Sequence, residues 1–389
     1  MVWISGYGFR HKDMSLKPAH QRTPQGRLRA RGAGIPFTGK PGEANAITDV
    51  AAVEVGYCTL IEGDGPLIVG QGPVRTGVTA LFPRGREKGT APVYAGYFSM
   101  SGNGEMSGAA FIEERGRFEG PVTITNTHSC GVVRDAAAEW MSRQVDIGAK
   151  ADQPLWLPVA AETFDGLLND VDGHHVTREH VLAAFDDARG GPVEEGNVGG
   201  GTGMTTYQFK GGSGTSSRVI GIEGRTYTVG AFVQSNFGKR HLLTVAGIPI
   251  GVHFSTDESP NSDLGSIIGI AATDAPLLPH QLKRLARRSS FGVARSGGIA
   301  SNESGDLFLA FSTANESVIE SNFGSVQVEM LGEGNLSTIY EAAIEAMDEA
   351  IMNALFAGET MIGRDGNTAP GLPVEDIREI LRQHNRLLD

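Results

Sequence analysis

Apolar and polar positions along the chain follow two periods. Short β-branched or aromatic runs bounded by glycine and proline occupy 52–61, 66–83, 91–100 and 120–127, and predict strands. The period then lengthens. Val133, Ala136, Ala137 and Trp140 fall on one face of a helix predicted over 132–145. A second helix is predicted after Thr177 as N-cap, with Glu179 close behind and Gly190 as the stop. Glycine-rich strands and hairpins are expected over 196–224 and 226–238, continuing through 241–255, and a polar loop at 256–263 closes this half. The second half opens on an apolar strand that starts at Ser266. Leu278, Leu282, Leu285 and Ala286 then mark an amphipathic helix stopping near Gly292. A strand at 307–314, a helix over 338–358 and a last helix from Val374 complete the pattern. Strands and helices come in grouped runs, which suggests layers of antiparallel sheet covered by helices.

Composition narrows the class. The chain has 389 residues, 40% of them hydrophobic, enough for a sizeable core. Its 54 glycines are spread along the chain, as numerous turns between short strands require. A formal charge of −12 argues against nucleic acid, which needs clustered Lys and Arg. Cys58 and Cys130 are the only cysteines, so neither a disulfide framework nor a zinc quartet of thiolates is expected. No apolar run reaches the ~18 residues of a membrane helix, and the N-terminus lacks a signal-peptide h-region. A cytoplasmic protein without membrane association is the expectation. Arg10, His11, Lys12, Lys17, Arg22, Arg27, Arg29 and Arg31 give residues 1–34 the look of a flexible arm, with a single domain over 35–389.

Several residues could carry chemistry. Gly196–Gly203 lacks the Lys-Ser/Thr ending of a phosphate loop, and tight turns at close backbone contacts explain it better. His174, His175 and His180 lack metal-ligand spacing and read as a solvated face. His128 and Cys130 would share a face on a strand, where Cys130 is a nucleophile or a small buried residue. No serine stands in G-x-S-x-G. Ser266 follows Gly265 at the mouth of an apolar strand. Cleavage of the Gly265–Ser266 bond would give Ser266 an α-amine with a pKa of about 7.7–8.0, able to serve its own hydroxyl as general base. Glycine before that bond would tolerate strained geometry. The same logic fits many Gly-Ser pairs.

The surrounding segments make the difference. Asn45–Val50, Gly70–Ala80, Gly102–Met106, Ile124–His128, Gly131–Asp135, Ala161–Thr163, Leu168–Asp170, Gly196–Met204, Gln234–Gly238, Gly265–Ile268, Ala272–Leu282, Ser304–Asp306 and Ala310–Asn315 occur in that order. With them the chain resembles the L-aminopeptidase/D-esterase and β-peptidyl aminopeptidase family, self-processing serine N-terminal nucleophile hydrolases.

The resemblance implies an α/β (α+β) fold, a four-layer αββα sandwich. It implies cleavage between Gly265 and Ser266 into an α-chain, 1–265, and a β-chain, 266–389. Such α/β heterodimers would assemble to a tetramer. Ser266 would be the nucleophile for self-cleavage and for hydrolysis through an acyl-enzyme. Asn236 would stabilise the oxyanion, Ser304 and Asp306 would orient the new α-amine, and Glu162 would pair with the substrate's ammonium. The expected substrates are small peptides, amides or esters with a free N-terminal amine, carrying L-, D- or β-amino acids. No metal or cofactor is expected. One position departs from the D/L-aminopeptidase type: Phe164 stands where a tyrosine is usual, and is expected to line the pocket without a catalytic role. The alternatives are an acyltransferase of the ornithine acetyltransferase type, whose nucleophile is threonine, and a binding module that retains the fold.

Overall fold

The structure, a computed structural model, describes residues 16–144, 155–254, 265–316 and 324–388. Two sheets dominate it. The first has four strands in the order β1 (Glu54–Glu62), β2 (Val74–Phe82), β5 (Val122–Asn126) and β6 (Val159–Thr163). The second has six, in the order β4 (Arg117–Phe118), β3 (Val93–Gly102), β12 (Gly305–Ser312), β11 (Ser266–Thr273), β10 (Arg225–Asn236) and β9 (Gly212–Ile222). Pairing is antiparallel except for β5 with β6 and β11 with β12, which run parallel.

The sheets face each other through Leu81, Val122 and Ile124 on one side and Ile268, Ile270, Leu307 and Leu309 on the other. Helices Cys130–Gln144 and Arg178–Asp186 cover the outer face of the first sheet, where Phe82, Trp140 and Phe185 meet edge to face. Helices Pro279–Ser289 and Leu336–Phe356 cover the second. This is the αββα sandwich. Coverage on both faces buries every residue of β2, β11 and β12; β11 and most of β12 read as near-continuous apolar runs, while β2 also buries Arg75, Thr76 and Thr79. A polar link also joins the sheets: Gln234 of β10 donates to the Thr125 carbonyl and to the Thr163 hydroxyl, both at 2.9 Å.

Most predicted elements recur within a few residues. The stretch 241–255 does not continue the strands; its described part forms two short 3-10 turns, Arg240–Leu242 and Ile250–His253. The helix expected to stop near Gly292 ends at Ser289, and a second short helix, Phe291–Arg295, follows. The predicted loop 256–263 lies outside the described residues.

The expectation of a flexible arm over 1–34 is corrected for residues 16–34; residues 1–15 lie outside the described ones. Ala30 is fully buried, and Arg29 and Arg31 nearly so. The Arg29 guanidinium donates to Glu195 and to the Ala44, Asn45 and Thr215 carbonyls. Arg31 grips Glu349 with two bonds of 2.7 and 2.8 Å, and Arg218 adds a third contact to that carboxylate at 2.8 Å. Basic residues read as solvated because their acidic partners lie more than a hundred positions away in sequence.

Candidate active site

Ser266 begins β11 between two strand ends. Asn236, the last residue of β10, stands opposite it in the antiparallel pair, and Gly305, the first of β12, flanks it in the parallel pair. Residues in register share a sheet face, with Cβ atoms about 4.5–5.5 Å apart in an antiparallel pair. Ser266 is 6% exposed. The Gly305 N–H lies 3.2 Å from the Gly265 carbonyl oxygen and 3.3 Å from Ser266 Oγ. A single backbone donor thus reaches both the hydroxyl and the carbonyl beside it.

Gly265 is required for space. Its φ lies outside the left-handed region, while a Cβ there would fall 2.6 Å from the Asn236 carbonyl oxygen. Close packing is thus a second reason for glycine here, beside the tolerance of strained geometry expected from the sequence.

The backbone fixes the side-chain amide of Asn236. Its Oδ1 accepts from the Thr205 N–H at 2.8 Å, and its Nδ2 donates to the Phe164 carbonyl at 2.8 Å. Because one partner only donates and the other only accepts, the amide orientation is determined. The second N–H of Nδ2 is left for another acceptor.

Glu162 lies in β6, which packs against β11 across the sheet interface. It is 4% exposed and both oxygens are engaged: Oε1 by the Glu105 N–H at 2.8 Å and Oε2 by the Thr127 hydroxyl. Burial raises its pKa above the ordinary value, the bonds from Thr127 and Glu105 N–H oppose this, and the Glu105 charge adds to the rise. A buried carboxylate with no cationic side chain bonded to it among the described residues suits an ammonium guest. The loop carrying Glu105 is pressed against Gly305, the strand neighbour of Ser266: a Cβ on Gly305 would lie 2.6 Å from the Asn103 carbonyl oxygen, and one on Gly104 3.3 Å from Glu162 Oε1.

Ser304 donates to Asp306 Oδ1 at 2.6 Å, and Asp306 also accepts from the backbone N–H of Ile267, one peptide beyond Ser266. Burial raises the Asp306 carboxyl to about 6 against both hydrogen bonds. This pair therefore meets the start of β11 through the backbone. Phe164 keeps 39% exposure, its ring laid over Gly166, where a Cβ would approach the ring to 2.3 Å. Its carbonyl touches Asn236, a contact that residue type does not encode.

Thr127, the Glu105 N–H and the Gly305 N–H had no role in the sequence reading; Thr127 could have been noticed as the hydroxyl between Asn126 and His128. Other candidates fall outside the cleft chemistry. His128 and Cys130 do not share a strand face: a 3-10 turn, Thr127–Ser129, leads into the helix that Cys130 starts. His128 is exposed and bonds Asp172 at 3.0 Å, whereas the buried Cys130 thiol is pushed up to about 12 by burial and then by Glu105 and Glu162. A thiol held neutral is a poor nucleophile. His174 stacks on His128, His175 bonds Asp170 at 2.8 Å, and His180 receives the Thr177 N–H. The glycine cluster is a buried turn; a Cβ on Gly200, Gly201 or Gly203 would meet backbone within 2.6 Å.

Comparison with known proteins gives the family and the fold. The model of peptidase family S58 matches residues 45–369. The β-peptidyl aminopeptidase BapA of Sphingosinicella microcystinivorans is 51% identical over 374 residues, 92% of this chain and 93% of that protein. Among solved structures, the L-aminopeptidase D-Ala-esterase/amidase of Ochrobactrum anthropi, described as a prototype serine aminopeptidase with a variant Ntn hydrolase fold, superposes with a TM-score of 0.87. It is 48% identical, over 92% of this chain and 99% of that one. A Burkholderia sp. β-aminopeptidase gives 0.83 at 44% identity, over 92% and 99% of the two chains. The chain belongs to peptidase family S58 and has the fold of an N-terminal nucleophile hydrolase.

Proposed function

We propose that the protein is a self-processing serine aminopeptidase that removes small N-terminal residues, β-amino acids among them, from short peptides, amides and esters. The observation that carries this reading is the alignment of Asn236, Ser266 and Gly305 across three strand ends, with the Gly305 N–H on the Ser266 hydroxyl and Asn236 in register with it on the other strand.

In maturation, Ser266 Oγ attacks the Gly265 carbonyl carbon. The C–N bond breaks, an ester forms, and water releases the 1–265 chain. Ser266 then carries an α-amine. In turnover that amine takes the hydroxyl proton as Oγ attacks the substrate carbonyl, and passes it to the leaving amine as the C–N bond breaks. Water hydrolyses the acyl-enzyme. The remaining Asn236 N–H and the Gly305 N–H receive the oxyanion. Ser304 and Asp306 hold the amine at the strand end, and Glu162 pairs with the substrate ammonium. An internal peptide bond brings no ammonium, so trimming stops at the N-terminal residue. The Phe164 ring forms pocket wall without proton transfer. Assembly of four α/β pairs belongs to the same reading and is read by native mass.

The test is a panel of β-, D- and L-aminoacyl anilides with their N-acetylated counterparts. The free amines should be hydrolysed and the acetylated ones left intact. Equal hydrolysis of both would remove Glu162 from its role. Transfer of acetyl from acetylornithine, with no anilide cleaved, would favour the acyltransferase alternative.

A further inference from the structure

Lys210 is the one lysine buried completely among the described residues. Its ammonium meets three backbone carbonyls, Met204 at 2.7 Å, Gly211 at 2.8 Å and Gly201 at 3.3 Å. The peptide unit that offers the Met204 carbonyl offers the Thr205 N–H on its other side, and that N–H donates to Asn236 Oδ1 at 2.8 Å. In a trans peptide the two groups point in opposite directions. One chain of hydrogen bonds therefore runs from Lys210 Nζ through the 204–205 peptide to the amide of Asn236, the residue in register with Ser266.

The hairpin that holds Thr205 is built stiffly. Its strands β7 (Thr205–Thr206) and β8 (Phe209–Lys210) are joined by Tyr207 and Gln208, both left-handed at φ 52° and 59°. Non-glycine residues there are strained and persist only where their surroundings hold them. Here the Tyr207 N–H donates to the Phe237 carbonyl at 2.7 Å, its hydroxyl bonds Ser296 at 2.8 Å, and Thr206 Oγ1 donates to the Ser235 carbonyl at 2.9 Å. The hairpin thus clamps residues 235–237, the segment that carries Asn236.

We propose that Lys210 is a positioning residue for the oxyanion site, its charge polarising the 204–205 peptide and, through it, the Asn236 amide that faces Ser266. A cation at the head of a hydrogen-bond chain strengthens each donor along it, and does so most in a dry interior. Burial, and then Arg27, weaken the residue's hold on its proton, and Asp165 opposes them. Three carbonyls match three ammonium N–H groups, whereas a neutral amine has two, so the geometry speaks for the charged form. The proposal rests on Asn236 acting as oxyanion donor, and its test keeps the two apart.

The experiment compares Lys210→Gln, Asn236→Ala and the double variant in the mature enzyme, with anilide turnover normalised to Ser266 content. Where a variant matures slowly, the rate of its conversion to two chains replaces kcat. Lys210→Gln keeps N–H donors and loses the charge. It should lower kcat about tenfold with KM nearly unchanged, and have no further effect once Asn236 is alanine. An equal fall in both backgrounds, or no fall, would overturn the proposal. An Asn236→Ala enzyme as fast as the parent would instead sink the oxyanion reading itself. If Lys210→Gln does not melt cooperatively, Lys210→Met takes its place, and failure of both to fold would assign the residue to stability and overturn the relay.

Discussion

Asn236 and Ser266 face each other in register across β10 and β11, and the Thr205 N–H and Phe164 carbonyl lock the Asn236 amide with one Nδ2 N–H left over. A donor held in place before charge develops costs no reorganisation when it does. Asn236→Ala should therefore lower kcat by about 10²–10³, with KM little altered. Steady-state kinetics on a β-aminoacyl anilide measure it. A rise confined to KM would mean that Asn236 binds substrate and does not serve the oxyanion.

Glu162 should set the acid limb of binding. Its folded pKa is raised, so the carboxylate takes up its proton at a pH above the ordinary glutamate value of 4.5. Ammonium binding should be full well above that pH and weaken as pH falls. KM should rise toward acid before kcat has collapsed. Glu162→Gln should raise KM by at least tenfold at neutral pH and abolish this acid dependence. An unchanged KM in that variant would place the substrate ammonium elsewhere.

The loop 102–106 touches both Glu162 and Gly305, the strand neighbour of Ser266. Gly305→Ala inserts a Cβ where only 2.6 Å separate it from the Asn103 carbonyl oxygen. The displaced loop takes the Glu105 N–H away from Glu162, so KM should rise and maturation should slow together. Intact kinetics in Gly305→Ala would show that the loop relaxes freely.

Stability should depend on the buried arginines near the N-terminus. Burial alone would raise Glu349; Arg31 and Arg218 outweigh it and hold the carboxyl at about 2. A depressed acid stabilises the fold above its unfolded value and loses that contribution as pH falls from about 4.5 to about 2. Arg31→Met should cost about 3 kcal/mol at neutral pH, read from the urea midpoint, and flatten the acid part of the stability profile. A midpoint equal to the parent's would return residues 16–34 to the status of an arm.

Much of the fold was legible because both sheets and all four covering helices have apolar patterns of their own. Val133, Ala136, Ala137 and Trp140 do line the buried side of the helix Cys130–Gln144. The site was less so. Ser266 stood out only as a small hydroxyl before an apolar strand, and the ordered motifs around it gave it weight. Pairings such as Arg31 with Glu349, or Thr127 with Glu162, join distant segments and leave no local trace. The 241–255 region was misread because Leu243, Val245 and Ile250 enter the core from short turns, which period alone does not distinguish from a strand.

The central claim is that Ser266 becomes a chain terminus. Denaturing mass spectrometry of the purified parent and of Ser266→Ala tests it most directly. The parent should give two polypeptides, residues 1–265 and 266–389, the second beginning with Ser266, while Ser266→Ala should remain one inactive chain of full length. A parent that hydrolyses aminoacyl anilides at full rate as a single uncut polypeptide would contradict the account.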